Sequence, residues 1–364
     1  MTPKTVYNAD THWTHWAIHQ IEADYRRSAD THLLTVPLPA LREAGIDLYL
    51  KDESTHPTGS LKHRLARSLF LYALCNNWLQ AGQPVIEASS GSTAVSEAYF
   101  ARLLGLPFFA VMTRNTSQEK IDAVHFYGGQ CHFVDKADEV YSAAHALAKE
   151  TNGHYMDQFT YAERATDWRG NNNIAQSIFE QMACERFPVP AWIVVGAGTG
   201  GTSATIGRFI RYKHYESRLC LADPEGSAFS PYWKTRDTSV NRPGSRIEGI
   251  GRPAPVASFL PTLIDRVHDV PNIDSMAGMI FLDTLLERKV GPSTGCNFTT
   301  MLLLAHEMQS AGQQGSIVSL ICDSGDRYLH NYQNSQWRTE QFGECALALD
   351  TLHQYAMVKP QNSA

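Results

Sequence analysis

Short apolar runs alternate with longer amphipathic stretches along most of the chain. The apolar runs predict strands at Asp47–Leu50, Val85–Glu87, Phe108–Met112, Gln130–Val134, Trp192–Val195, Arg218–Ala222 and Ile317–Cys322. The stretches between them predict helices at Leu61–Trp78, Thr93–Leu104, Gln118–Tyr127, Ala137–Glu150, Asn173–Phe187, Thr202–Tyr212, Ser275–Arg288 and Asn297–Ala311. Because strand and helix alternate and the strands are mostly apolar on both faces, the pattern predicts an α/β fold with a largely parallel sheet.

Composition narrows the class of protein. The chain has 364 residues, 43% of them hydrophobic, and a net charge of −6 with both signs interspersed, so we expect no nucleic-acid partner. No uninterrupted apolar run reaches the roughly 18 residues of a membrane span, and the polar N-terminus lacks an apolar signal core. The seven cysteines are scattered singly and form no CxxC pair. We therefore expect neither a disulfide framework nor a metal site, and a reducing cytoplasm as the location.

A glycine-rich loop is the strongest local signal. In AWIVVGAGTGGTSATIGRFIR an apolar strand ends at Val195 and a helix starts near Thr202. Glycines allow backbone N–H groups to approach a phosphate, and the helix directs its positive end to the same place. Gly198, Thr199, Gly200, Gly201 and Thr202 suit one monophosphate, but the segment also fits the dinucleotide pattern, with Asp223 where a ribose-binding acid would lie. A nicotinamide dehydrogenase and a tight turn without a ligand are the alternatives.

The segment KDESTHPTGSLKHR places Lys62 in the first turn of a predicted helix. A cation opposes the positive end of a helix, and the same field favours the neutral amine that Schiff-base formation needs. A solvated surface lysine is the alternative.

A second strand–turn–helix segment is lined with hydroxyl groups, in the order Ser89, Ser90, Gly91, Ser92, Thr93. A helix N-terminus of this kind suits a carboxylate, and ordinary capping by Ser92 or Thr93 is the alternative. Near the end of the chain, CDSGDRYL places Asp323 and Ser324 at the carboxyl edge of the sheet, where ligands of α/β proteins bind.

Together these segments resemble the cysteine synthase and cystathionine β-synthase family of pyridoxal-phosphate (PLP) enzymes, which have the tryptophan synthase β-like fold (fold type II). The resemblance covers about Leu34 to Leu329 and includes TVPLP, MDQF, IEGIG and GPSTGCN. It implies two three-layer α/β lobes with the active site between them, PLP as cofactor, a small amino acid as substrate and a homodimer. We expect a lobe of residues 45–165 inserted in a larger lobe (1–44 and 166–335), and a C-terminal tail at 336–364.

The resemblance also implies roles for single residues. Lys62 would be the Schiff-base lysine and the general base, Gly198–Thr202 the phosphate cup, and Asp323 or Ser324 the partner of the pyridine nitrogen. Ser89, Ser90, Gly91, Thr93 and Gln158 would bind the substrate. Ser92 replaces the asparagine that the family places near the pyridine 3′-oxygen.

Two departures favour one activity within the family. The segment ERATDWRGNNN and the turn ASSGST are most similar to single-domain L-cysteine desulfhydrases. The resemblance therefore implies β-elimination of L-cysteine to sulfide, pyruvate and ammonia. A β-replacement enzyme of the cysteine synthase or cystathionine β-synthase type is the alternative.

Overall fold

The computed structural model describes residues 9–357, with side chains described from residue 11. The N-terminal residues 1–8, part of the segment expected to lack a signal core, and residues 358–364 of the expected tail lie outside the described residues. The strands are β1 (Leu33–Thr35), β2 (Ile46–Asp52), β3 (Val85–Ala88), β4 (Phe108–Thr113), β5 (Gln130–Val134), β6 (His154–Tyr155), β7 (Trp192–Val195), β8 (Arg218–Pro224), β9 (Arg266–Val270) and β10 (Gly315–Ile321).

Most of the helices alternate with the strands. They are α1 (Ala9–Arg26), α2 (Pro39–Glu43), α3 (Lys62–Cys75), α4 (Ser92–Leu103), α5 (Gln118–Phe126), α6 (Val140–Glu150), α7 (Gln158–Ala165), α8 (Ile174–Met182), α9 (Gly201–Lys213), α10 (Phe229–Thr235), α11 (Asn272–Leu286), α12 (Pro292–Ser310), α13 (Ser335–Phe342) and α14 (Ala346–Tyr355). All seven predicted strands and all eight predicted helices are present, with ends that differ by a few residues.

The first compact unit contains residues up to Asp30 and Lys62–Thr166. Its sheet has the order β5-β4-β3-β6, and every pair is parallel. Successive residues of a strand point to opposite faces, so Val85 packs with α3 and α4, whereas Ile86 packs with Ala144 of α6. Helices therefore cover both faces, and the unit has three layers.

The second compact unit contains Thr31–Leu61 and the described residues from Asp167 onward. Its sheet has the order β1-β2-β10-β7-β8-β9, in which only β1 pairs antiparallel with its neighbour. Leu48 and Leu50 of β2 pack on the side of α11 and α12, whereas Tyr49 packs on the side of α8 and α9. This unit is also a three-layer α/β structure with its core on both faces of a mainly parallel sheet.

The compact units divide the chain at positions other than the expected lobe of 45–165. Residues 46–52 belong to the second unit, because β2 pairs with β10 from Gly315 to Ile321. Helix α1 belongs to the first unit, where Ala17 and Ile21 are buried against its core. The described part of the expected tail forms α13 and α14, and Leu352 of α14 is buried in the core of the second unit.

Two further features bear on function. Residues 237–258 of the loop expected at Lys234–Ser258 contain no helix or strand. In the described part of the chain, none of the helices combines the length and the apolar character that crossing a membrane requires.

Candidate active site

The glycine-rich loop leads from β7 to α9 through a turn that only glycine fits. Gly200 has a φ of +86°, in the left-handed region, and a Cβ atom there would lie 2.6 Å from the Cα atom of Phe259. A Cβ atom on Gly198 would collide with the carbonyl oxygen of Gly249. Helix α9 begins at Gly201, so the N–H groups of its first turn point towards this loop. The turn has the shape and polarity that bind a phosphate.

Hydrogen bonds that involve hydroxyl groups stabilise the glycine-rich loop. The Thr199 hydroxyl accepts a hydrogen bond from the N–H of Gly201 at 3.3 Å, and the buried Ser258 hydroxyl donates to the carbonyl oxygen of Thr199. Thr202 is half-buried in the first turn of α9. Phe259, Ser258 and Gly249 all belong to residues 249–259, so the end of the long loop forms one wall of the glycine turn.

The dinucleotide alternative requires an acid presented at the end of β8. Asp223 is only 1% exposed, and its Oδ2 atom accepts a hydrogen bond from the N–H of Ser230 at 2.7 Å. Burial, more than any neighbouring charge, raises the pKa of this carboxyl to about 7. Asp223 therefore stabilises the start of α10 through this hydrogen bond. Because it is buried, its carboxylate is not accessible to a ribose.

Asp323 and Ser324 follow β10, and both hold the turn that comes next. The Ser324 hydroxyl accepts a hydrogen bond from the N–H of Asp326 at 3.3 Å and caps the short 3-10 helix Gly325–Tyr328. Asp323 is 7% exposed, and its Oδ2 atom accepts a hydrogen bond from the Tyr328 hydroxyl at 2.6 Å. Burial and the Asp323 carboxylate raise the pKa of Tyr328 far above its ordinary value. The Tyr328 hydroxyl beside Asp323 therefore stays protonated.

The start of α12 lies beside this turn. An antiparallel bridge joins Val290 to Ser324, and a side chain on Gly291 would collide with the Asp323 carboxylate. Ser293, in the first turn of α12, is 3% exposed. The motif GPSTGCN is evident in the sequence, but no role was predicted for Ser293; its place in that motif was the available signal.

The serine-rich turn connects β3 to α4 in the first unit. The N-cap of α4 is Gly91, and no side chain caps the helix, so ordinary capping does not explain the hydroxyl groups. The Thr93 hydroxyl instead donates a hydrogen bond to Oε1 of Gln158 at 2.8 Å, and both side chains are buried. The Ser89 hydroxyl accepts from the N–H of Gly91 at 3.2 Å. Ser90 and Ser92 are half-buried. The structure therefore brings Gln158 to the turn, as the resemblance implied.

Two acidic residues near this turn were not predicted from the sequence. Glu87 and Glu97 are both 0% exposed, on β3 and α4 respectively. Glu87 accepts hydrogen bonds from the N–H groups of Ala88 at 2.7 Å and Gln158 at 3.2 Å. Burial raises the pKa of Glu87 to about 8 and, together with the Glu87 carboxyl, raises the pKa of Glu97 well above its ordinary value. Acidic residues inside an apolar run were the only signal in the sequence.

Lys62 is the first residue of α3 and is half-buried, which does not fit a fully solvated surface lysine. The N–H of the preceding residue, Leu61, donates to the carbonyl oxygen of Cys322 at 2.8 Å, at the end of β10. Lys62 is therefore the next residue in the chain after Leu61, which this hydrogen bond holds at the carboxyl edge of the second sheet.

Comparison with known proteins places the chain among cofactor-dependent enzymes. The family model described as "Pyridoxal-phosphate dependent enzyme" matches residues 29–323. L-cysteine desulfhydrase Cds1 of Mycobacterium tuberculosis is 59% identical over 332 residues, which cover 90% of each chain. Cysteine synthase B of Salmonella typhimurium is 28% identical over 310 residues, covering 80% of this chain and 91% of its own.

A solved structure supports the fold independently. The hydrogen sulfide-producing enzyme of Fusobacterium nucleatum aligns with a TM-score of 0.75 and 23% sequence identity, covering 89% of this chain and 95% of its own. At this identity the likeness supports the fold only, namely the two three-layer α/β units described above.

Proposed function

Because the chain belongs to the family of pyridoxal-phosphate dependent enzymes, we propose that it is an L-cysteine desulfhydrase, which converts L-cysteine and water to sulfide, pyruvate and ammonia. The observation that carries this proposal is the 59% identity to a desulfhydrase along 90% of the chain. The reaction balances without an oxidant or a reductant, since the C–S bond breaks as the α-proton leaves, and water then releases ammonia.

The glycine-rich loop holds the phosphate of the cofactor in this proposal. The turn from Gly198 to Thr202 excludes side chains, directs helix N–H groups to one place and adds two hydroxyl groups. These features fit one monophosphate. The buried position of Asp223 removes the acid that a dinucleotide would need. When bound, PLP supplies the electron-accepting ring that stabilises negative charge at the α-carbon of an amino acid.

The chain's own residues bind and deprotonate the substrate. The hydroxyl-lined turn Ser89–Thr93, at the N-terminus of α4, and the Gln158 side chain receive the substrate carboxylate. Lys62 would hold the cofactor covalently, and its amine would accept the α-proton of the substrate as general base. Ser92 would hold the ring oxygen of the cofactor in place of the family's asparagine.

The partner of the ring nitrogen comes from the edge of the second sheet. Ser324 is the less suitable candidate, because its hydroxyl caps the following 3-10 helix. We propose Asp323, whose carboxylate would keep the ring nitrogen protonated and so strengthen the electron sink. Ser293 is a second candidate, because its buried hydroxyl occupies the first turn of the adjacent helix α12.

β-Replacement is the second candidate function, and the relatives named cysteine synthase favour it. Elimination and replacement share the binding and deprotonation steps, and they differ in whether water or a thiol completes the reaction. The identity of 28% to cysteine synthase B, against 59% to the desulfhydrase, makes replacement the alternative.

We also propose that the enzyme is a cytoplasmic homodimer. All seven cysteines are free thiols, as expected in a reducing compartment. The homodimer is the assembly that the family resemblance implies. Light scattering of the purified protein would give twice the mass of the chain if this is correct.

The test of the proposed function is product analysis. The purified holoenzyme is incubated with L-cysteine as its only substrate, and sulfide, pyruvate and ammonia are measured over time. We expect equal amounts of the three products. Sulfide without pyruvate, or no sulfide, would overturn the proposal.

A further inference from the structure

The chain that leaves β10 pairs with the segment that leads to Lys62. The carbonyl oxygen of Cys322, the first residue after the strand, accepts a hydrogen bond from the N–H of Leu61 at 2.8 Å. An antiparallel bridge joins the neighbouring residues Ser60 and Asp323. Lys62 is one residue beyond this short pairing, so its backbone position depends on the direction of the Cys322 carbonyl group.

Helix α12 holds Cys322 through two side chains. The N–H of Cys322 donates a hydrogen bond to the hydroxyl oxygen of Thr294 at 3.0 Å. One turn further along the helix, the side-chain amide of Asn297 donates to Sγ of Cys322 at 3.4 Å. Thr294 and Asn297 are both 0% exposed, and Cys322 is 5% exposed. Since the pairing of β10 with β2 ends at Ile321, these contacts continue the support that the sheet gives to the strand.

Two backbone hydrogen bonds therefore meet at Cys322, one from its N–H to Thr294 and one to its carbonyl oxygen from Leu61. Loss of the Thr294 hydroxyl would take an acceptor away from a buried N–H group, which is costly unless the backbone moves. Because both groups belong to one residue, a movement that relieves the N–H also redirects the carbonyl that holds Leu61. The effect then passes along the chain to Lys62.

We propose that Thr294 is a positioning residue for Lys62: its hydroxyl fixes Cys322, and Cys322 in turn fixes the residue that precedes the lysine. The inference rests on the proposed role of Lys62, but not on which β-reaction follows. To form the covalent link, the amine of Lys62 replaces the aldehyde oxygen of the cofactor, which leaves as water. A misdirected Lys62 forms this link less readily.

Three variants of α12 separate this role from a merely structural one. Thr294→Val keeps the shape of the side chain but removes the acceptor, whereas Thr294→Ser keeps the hydroxyl. Thr300→Val is the matched control, because Thr300 is also 0% exposed and its hydroxyl donates to the carbonyl oxygen of Cys296 within the same helix. If Thr294→Val does not fold, Thr294→Ala replaces it, since that variant differs from Thr294→Ser by one oxygen atom.

The measurement compares two ligands of the apoenzyme by calorimetric titration. One is PLP, and the other is pyridoxine 5′-phosphate, in which a hydroxymethyl group replaces the aldehyde. The two ligands share the phosphate, the ring and the ring nitrogen, so a change at the phosphate cup or at Asp323 affects both. Only PLP can bond to Lys62. The ratio of the Kd for pyridoxine 5′-phosphate to the Kd for PLP therefore reports the covalent link, and a general loss of stability does not change it.

We expect the ratio to fall roughly tenfold in Thr294→Val, as when one buried hydrogen bond is lost, and to stay within about twofold of the wild type in Thr294→Ser and Thr300→Val. Equal ratios in Thr294→Val and Thr300→Val, or an equal fall in Thr294→Ser, would overturn the proposal. A wild-type ratio near one would overturn the role of Lys62, and this inference with it. If the ratio falls as expected but the wild type yields no sulfide from L-cysteine, the role of Thr294 stands and the desulfhydrase proposal fails.

Discussion

The glycine-rich turn after β7 and the serine-rich turn after β3 have the same architecture, a buried strand followed by a small-residue loop and a helix N-terminus. They differ in what fixes their shape. At Gly198 and Gly200, backbone atoms lie so close that a Cβ atom has no room, whereas nothing lies within 4 Å of a Cβ atom on Gly91. The serine-rich turn is instead shaped by side chains, through Thr93 and Gln158. A rigid backbone cup suits a permanent cofactor, and an open turn with hydroxyl groups suits a substrate that must leave.

The largest expected effect comes from Lys62, which belongs to neither turn. Lys62→Ala should leave both turns intact, because the residue starts α3 and is only half-buried. We expect turnover of L-cysteine to fall at least about a thousandfold, since a general base contributes about 10²–10⁴ in rate and the covalent link is lost as well. The visible absorbance of lysine-bound cofactor should also disappear. The control is Lys149→Ala, on the exposed last turn of α6; full turnover by Lys62→Ala without added amine would refute the assignment.

The next effect tests the rigid cup. Gly200→Val would force a side chain against Phe259 and Ser258 from a left-handed backbone, at a cost of about 1–3 kcal/mol that we expect to appear in cofactor binding. Titration of the apoenzyme with PLP should show affinity reduced roughly tenfold to a hundredfold. Gly91→Ala is the matched control in the open turn, and its PLP affinity should stay within about twofold. Equal PLP affinity in both variants would remove the distinction between the two turns.

The third effect tests the open turn. Thr93→Val keeps the shape of the side chain but removes the hydroxyl that donates to Gln158. We expect the KM for L-cysteine to rise roughly tenfold, with PLP affinity and kcat little changed, because a buried acceptor is left without its donor. Thr151→Val, whose hydroxyl bonds only to the Leu147 carbonyl in α6, is the control. A fall in PLP affinity with an unchanged KM would mean that Thr93 serves the cofactor.

The smallest effect concerns stability. Burial raises the pKa of Glu87 from 4.5 to about 8, so the folded protein favours the neutral carboxyl. The stability from this group is fully present below pH 4.5 and is lost as the pH rises through about 8. Glu97→Gln removes a second buried carboxyl whose own pKa is raised by burial and by Glu87, so its Tm should fall less than that of the wild type between about pH 6 and pH 9, by a few degrees. Parallel dependence of Tm on pH in the two proteins, in which other groups cancel, would mean that Glu97 does not contribute to the loss of stability at high pH.

The sequence predicted these two turns unequally, for a physical reason. The strand, glycines and helix start that predict a phosphate cup all lie within Val195–Thr202, so the local pattern was sufficient for that prediction, although Gly249 and Phe259 form one wall of the turn. The serine turn depends on Gln158, 65 positions beyond Thr93. That residue was predicted only through the family resemblance. The burial of Glu87 and Glu97 could not be predicted from the local pattern of residues, because a carboxyl group is usually exposed to solvent.

The fold shows the same division between local and distant information. The strands buried on both faces were predicted, since their apolar runs are continuous. Strand β9 was not, because RVHDV carries three polar residues. The expected lobe boundary at residue 45 came from the family resemblance, whereas β2 belongs to the second unit because it pairs with β10, about 270 residues away in the chain.

The central claim, elimination of L-cysteine on a PLP scaffold, is tested most directly by comparing two reactions of one preparation in one buffer. The first is L-cysteine alone, measured as sulfide and pyruvate, and the second is O-acetylserine with sulfide, measured as new cysteine. We predict a higher kcat/KM for the first reaction, with pyruvate equal to sulfide throughout. A much higher kcat/KM for the second reaction, with only traces of pyruvate from the first, would contradict the claim and identify a cysteine synthase.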